Sequence, residues 1–127
     1  MKRIVVVLTA FVLVFALSSC NVNSYVATGM VRGSWGGEAT LKFLSFKGHH
    51  YFNLRAEADD THIDYEAKLD EGEVNVYYCV GDSENLLFTI KGGEKLDSSL
   101  EYGGGNLKIK VVASEKCRGG SFEFELD

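Results

Sequence analysis

The chain has 127 residues, of which 46% are hydrophobic and 24% are charged, and its formal net charge is −5 at pH 7. This length accommodates a single domain with a buried core. The acidic balance argues against nucleic acid as a partner and against direct electrostatic adhesion to anionic lipid.

The first twenty residues have the features of a bacterial export signal. The cationic pair Lys2-Arg3 precedes residues 4–17, which are apolar except for one threonine. An apolar run of this length is typical of a signal peptide and is shorter than the ~20 residues needed to span a bilayer. The segment Leu17-Ser18-Ser19-Cys20 resembles the lipobox of bacterial lipoproteins. The resemblance implies that residues 1–19 are removed and that Cys20 carries a diacylglyceryl thioether.

A lipid-modified Cys20 would place the protein in the bacterial cell envelope. Two acyl chains hold a protein stably on a membrane, because each buried methylene contributes about 0.8 kcal/mol. By resemblance, Asn21 favours the outer membrane in a Gram-negative cell; otherwise the anchor lies in the outer face of the cytoplasmic membrane. Removal of the leader would change the formal charge to −7. Ordinary secretory cleavage near residues 16–18 and an uncleaved anchor remain as alternatives.

The three cysteines divide into one plus two. With Cys20 assigned to lipid, Cys79 and Cys117 are left as an even pair in an oxidising environment. A disulfide between them would close a ~40-residue loop and contribute roughly 4 kcal/mol in the chain-entropy model. We therefore predict a Cys79–Cys117 disulfide, with two separate reduced thiols as the alternative.

Residues 20–27 are short, polar and unpatterned, which predicts a tether, and residues 28–127 predict one domain. Within this domain, apolar side chains recur at every second position, as in strands with one buried and one solvated face. No segment shows the periodicity of an amphipathic helix. The predicted strands are Glu38–Phe46, His50–Ala58, His62–Leu69, Glu73–Val80, Asn85–Lys91, Leu107–Ala113 and Ser121–Asp127.

Glycine-containing segments separate these runs, notably Lys47-Gly48 and Arg118-Gly119-Gly120, and they predict turns. Seven to nine short strands at this spacing predict an all-β fold, an antiparallel β-sandwich or small barrel. Residues 105–111 and 117–124 are similar to the ending of small uncharacterised bacterial lipoproteins with a β-sandwich body. That resemblance implies the same fold and no activity.

No catalytic or cofactor-binding pattern stands out. Gly81-Asp82-Ser83 resembles the nucleophile motif of GDSL-type esterases, but Glu84 replaces their aliphatic residue and the Asp-x-x-His ending at His62 precedes the serine. The segment is typical of a turn. His49 and His50 are adjacent, so in a strand they point to opposite faces and cannot both bind one metal ion. We therefore predict no enzyme activity, no cofactor and no metal site.

Trp35 is the main candidate for a binding surface, because small residues flank it in Gly33-Ser34-Trp35-Gly36-Gly37. An exposed indole can stack on a sugar ring or anchor a partner protein. Tyr51, Tyr77 and Tyr102 lie at polar-face or turn positions and could extend this surface. The alternative is that Trp35 closes one end of the core. The sequence thus favours a non-catalytic binding module for an envelope protein or glycan, with a structural or assembly accessory protein as the alternative.

Overall fold

A computed structural model describes residues 24–127, and all regular elements in this range are strands. Within it no helix is long and apolar enough to cross a membrane. The eight strands are β1 (Ser24–Thr28), β2 (Val31–Trp35), β3 (Glu38–Leu54), β4 (His62–Glu71), β5 (Glu73–Val80), β6 (Ser83–Lys91), β7 (Lys95–Glu101) and β8 (Leu107–Leu126). Every pairing is antiparallel, which confirms the predicted all-β class.

Two long strands connect two layers of the sheet. β3 and β8 pair along their whole lengths, from Glu38 opposite Glu125 to Leu54 opposite Leu107. The first half of β3 and the second half of β8 form the first layer with β2, β4 and β7. The remaining halves form the second layer with β5 and β6, and β1 pairs with β3 where it passes between layers.

The glycines at this passage do not form the predicted turns. The β3–β8 register shifts between Phe46 and Gly48, which marks a bulge, and bulges bend a strand without ending it. Gly48 has a φ of 121°, and a side chain there would collide with the backbone of Ser24 in β1. Glycine at this position therefore permits close approach of β1, so two predicted strands join into β3. The predicted strands on either side of residues 118–120 also join, into β8, where Arg118 and Gly120 stay in register with Ser45 and Phe43.

Three strands lie outside the predicted set. β1 begins at Ser24, within the segment assigned to the tether, so only part of that segment precedes the domain. β2 and β7 are exposed along most of their lengths, and they have no clear alternation to reveal them. Edge strands of this kind take their structure from pairing with β3 and β4 rather than from burial.

The core lies between the layers and is dominated by phenylalanine. Phe122 on β8 stacks on Phe43 of β3 at 5.9 Å between ring centroids and on Phe88 of β6 at 6.4 Å. Phe88 also stacks on Tyr65 of β4 at 4.7 Å. Because β6 belongs to the second layer and Phe43 and Tyr65 to the first, this aromatic cluster holds the two layers together.

Candidate functional site

Trp35 ends β2 and points away from the core. Gly36, with a φ of 57°, turns the chain directly after it, so that Trp35 pairs with Glu38 across a tight hairpin. Its side chain is 88% exposed. The alternative in which Trp35 closes one end of the core is therefore wrong.

A shallow groove of about 760 Å³ lies beside Trp35. The backbone amide of Arg55 donates a 2.8 Å hydrogen bond to the carbonyl of Gly36, which brings the end of β3 against the β2–β3 turn. The start of β8 and the end of β5 complete the walls. The groove is lined by Ser34, Trp35, Gly36, Asn53, Leu54, Arg55, Cys79, Gly81, Asn106, Leu107 and Lys108.

The groove combines one flat apolar surface with several polar groups. Asn53, Arg55, Asn106 and Lys108 supply amide, guanidinium and ammonium donors, whereas Leu54 and Leu107 are buried beneath them. The side-chain oxygen of Asn106 accepts a 2.8 Å hydrogen bond from the backbone amide of Ala56, which fixes its position. Such an arrangement can hold a polar ring by stacking and hydrogen bonding.

Tyr51 and Tyr77 lie on the outer face of the second layer, next to the groove. Both pair in register with Lys110, so the three side chains form one row across β3, β8 and β5. Two interstrand spacings separate the tyrosines, about 10 Å. Lys108 lines the groove and also lies 5.8 Å from the centre of the Tyr51 ring. This lysine therefore connects the row with the Trp35 groove.

Lys110 anchors the middle of this row. It is buried, and its ammonium group lies 2.8 Å from a carboxylate oxygen of Glu84 on β6 and 5.4 Å from the centre of the Tyr77 ring. A lysine held by a carboxylate and an aromatic face has little rotamer freedom. Lys110 is consequently a fixed part of the row.

Tyr102 does not belong to this surface. Its hydroxyl donates a 2.7 Å hydrogen bond to the carbonyl of Gly105, and its ring packs against the core. Burial, with a smaller contribution from Asp60, raises the pKa of Tyr102. Its contacts indicate that it holds the loop before β8, whereas Trp35, Tyr51 and Tyr77 share one region.

The predicted Cys79–Cys117 disulfide is wrong. Cys117 is a free thiol, fully buried in β8, and its sulfur donates a 3.3 Å hydrogen bond to the carbonyl of Phe46. Cys79 lies opposite Lys108, and Cys117 is nine positions further along β8, a path of about 30 Å. A disulfide requires Cα atoms within ~7 Å. That Cys79 and Cys117 remain as a pair after Cys20 says nothing about the distance between them, which depends on strand register.

Cys117 is expected to react with iodoacetamide only after denaturation. Burial raises the pKa of its thiol, so both access and thiolate formation are disfavoured in the native protein. Peptide mapping should find Cys117 unmodified in buffer and alkylated in guanidinium chloride without reductant. A peptide pair linked through Cys79 and Cys117 would contradict this result.

The other polar motifs do not build a reactive centre in the described part of the chain. No group of three or more metal-ligating side chains occurs there. Thr61 and His62 share a 2.8 Å side-chain contact, but they are sequence neighbours outside the Trp35 groove. Ser83 accepts a hydrogen bond from Asn85 at the start of β6, as expected for turn chemistry.

The polar residues of the groove were not singled out from the sequence. Asn53 and Lys108 occupy polar-face positions in their strands, which is also the pattern of ordinary solvated residues. They become neighbours because Asn53 pairs with Lys108 in register, with Cys79 on the other side. Only the strand order provides that signal.

No protein-family model and no curated protein matches the sequence. Among solved structures, a mutant of a family 29 carbohydrate-binding module covers 81% of this chain and 77% of its own, with 14% identity and a TM-score of 0.44. The module TmCBM61, solved with beta-1,4-galactotriose, covers 82% and 83%, with 16% identity and a TM-score of 0.42. A cupin-2 domain protein from Shewanella frigidimarina covers 89% and 92%, with 16% identity and a TM-score of 0.36. Similarities at this level assign neither ligand nor activity.

Proposed function

We propose that this protein is a non-catalytic glycan-binding module, anchored in the bacterial cell envelope by lipid on Cys20. The observation that carries the proposal is the 88% exposure of Trp35 beside a polar groove. The lipid anchor is inferred from the leader sequence, in which Leu17-Ser18-Ser19-Cys20 resembles a lipobox.

The chemistry of the groove favours a sugar over an apolar ligand. A pyranose ring presents an apolar C–H face, which matches the exposed indole, and a rim of hydroxyls, which matches the side chains of Asn53, Arg55 and Asn106. Covering half of a tryptophan side chain removes about 100 Å² from water, which stabilises the complex by about 2 kcal/mol. The polar groups then orient the ring and select the glycan.

The tyrosine row extends the same surface. Tyr51 and Tyr77 lie about 10 Å apart, two interstrand spacings, which is comparable to the length of a disaccharide unit. Lys108 is shared between the groove and Tyr51. A chain of several sugar residues could therefore contact the groove and the row together.

Trp35→Ala is expected to weaken glycan binding at least about tenfold, because the lost stacking exceeds the 1.4 kcal/mol that corresponds to a factor of ten. Trp35 is the only tryptophan in the chain, so its fluorescence reports directly on the groove. Peptidoglycan fragments and β-linked oligosaccharides should be titrated against the natural protein by fluorescence. Isothermal calorimetry should then compare the natural protein with the variant.

Leu44→Ala is the matched control, because Leu44 is an exposed apolar residue of β3 that lies in neither the groove nor the tyrosine row. It should bind glycan with unchanged affinity. A panel in which no glycan shifts the Trp35 emission would contradict the proposal. Capture of one envelope protein in a Trp35-dependent manner would instead make the groove a protein-binding site.

A further inference from the structure

We propose that the domain rests on an anionic lipid bilayer through an apolar patch beside its N-terminal strand, which leaves the Trp35 groove facing away from the membrane. The patch consists of Val26 on β1, Val31 on β2 and Leu44 on β3. This inference rests on the proposed lipid anchor and adds the orientation of the domain.

The three residues of the patch are exposed and lie along one edge of β3. Val26, Val31 and Leu44 are 77%, 67% and 70% exposed, respectively. β1 and β2 pair with consecutive parts of β3, and Gly29 lies in the gap between them, against the side chain of Leu44. Three aliphatic side chains therefore lie along one edge of the domain, where their exposure to water costs free energy.

Two lysines flank this patch. Lys42 pairs with Val31, and Lys47 pairs with Val26, and both lysines are exposed. Lys42 also begins a row across the first layer that continues through Ser121 and Lys68 to Lys95. Apolar side chains within a basic surround match a bilayer surface with anionic head groups.

The carboxylates lie toward the opposite end of the same face. The next two rows after Lys42 contain Glu38, Asp64, Glu66, Asp97, Glu123 and Glu125, and these rows lead toward Trp35. The Lys42 end also holds carboxylates, since Asp70 lies against Gly119 and Glu71 pairs with Arg118. The net negative charge, which argues against general adhesion to lipid, is thus unevenly distributed, and it would turn the carboxylate end away from an anionic membrane.

The chain segment between Cys20 and Val26 is short enough to keep the apolar patch near the bilayer. Cys20 precedes Val26 by six residues, which span at most ~21 Å when fully extended. An acylated Cys20 would therefore keep Val26 close to the bilayer. The short distance raises the effective concentration of the patch at the lipid surface, so even a weak contact becomes populated.

Depth-dependent quenching tests the orientation. In a Trp35→Phe background, Leu44→Trp and the control Leu86→Trp each place one tryptophan in the full chain, Leu86 lying across the second layer. On vesicles of phosphatidylethanolamine and phosphatidylglycerol with brominated acyl chains, Leu44→Trp should show blue-shifted and strongly quenched emission, and Leu86→Trp should not. Adding Lys42→Gln and Lys47→Gln should reduce the ratio of docked to undocked protein by on the order of tenfold.

Equal quenching at positions 44 and 86, or no effect of the two lysine substitutions, would overturn the proposal. Vesicle flotation of the full chain beside its Cys20→Ser variant tests the anchor separately. If Cys20 carries no anchor, the two proteins will float equally. If the patch does not contact the bilayer, tryptophans at positions 44 and 86 will be quenched equally.

Discussion

Phe122→Ala is expected to lower the free energy of unfolding by about 3–5 kcal/mol, the largest effect of any single substitution considered. Phe122 is fully buried in β8, which pairs with β3 and β4. Its ring lies between Phe43 and Phe88, so truncation leaves a cavity where the two layers meet. Since domains of this size are stable by only about 5–15 kcal/mol, the variant should unfold at much lower urea concentration.

Leu86→Ala provides the control for urea denaturation followed by circular dichroism. Leu86 is 55% exposed, so its truncation should change the free energy of unfolding by no more than about 0.5 kcal/mol. A Phe122→Ala variant as stable as the control would mean that the aromatic cluster does not hold the layers together.

Acid is expected to destabilise the protein through His50, by on the order of 2 kcal/mol between pH 7 and pH 5. His50 is fully buried on the inner face of β3, with Phe52 at 4.6 Å and Tyr25 at 5.2 Å between ring centroids. Burial first, and the charge of Arg32 second, lower the pKa of His50 from 6.5 to about 4.

The hydrogen bonding of His50 explains why protonation is unfavourable. A guanidinium nitrogen of Arg32 lies 3.3 Å from Nε2 and can only donate, so the neutral ring accepts there and carries its proton on Nδ1. Nδ1 has no hydrogen-bond partner in the described part of the chain. A second proton would place a positive charge in the core, next to the guanidinium of Arg32.

The direction of the pH effect follows from linkage. The unfolded chain binds a proton at His50 below pH 6.5, whereas the folded protein does so only near pH 4. The stabilisation is therefore complete above pH 6.5 and is lost as the pH falls toward 4. His50→Phe removes this titration while leaving every carboxylate in place. Urea denaturation at several pH values should show a shallower pH dependence for the variant, and parallel curves would refute the assignment.

The sequence predicted the fold class and much of the core because burial on one face of a strand leaves a period of two. Ile63, Ala67 and Leu69 are buried where that period placed them, as are Val74 and Val76. The edge strands β1, β2 and β7 were missed because they bury little. β3 and β8 were each divided in two because a glycine within a strand and a glycine at a turn look alike in sequence.

The candidate site could be predicted only in part. Trp35 was selected for the small residues that flank it, and Tyr51 and Tyr77 as aromatic residues at polar-face positions; in the structure the three lie in one region. Asn53 and Asn106 were overlooked, because a polar side chain in a groove and one in open solvent follow the same pattern. Tyr102 was included although its ring packs on the core.

By itself, the sequence determined the all-β class and the alternation that puts Lys108 and Lys110 on an outer face. It also contains the lipobox-like segment ending at Cys20, which can be recognised without the tertiary structure. Only the tertiary structure decided which side chains these residues contact. Strand register places Cys117 in the core, far along β8 from the position opposite Cys79. The tertiary structure also brings the Trp35 hairpin against the end of β3. Local periodicity records which face a residue occupies, whereas neighbours across strands depend on the pairing of distant segments.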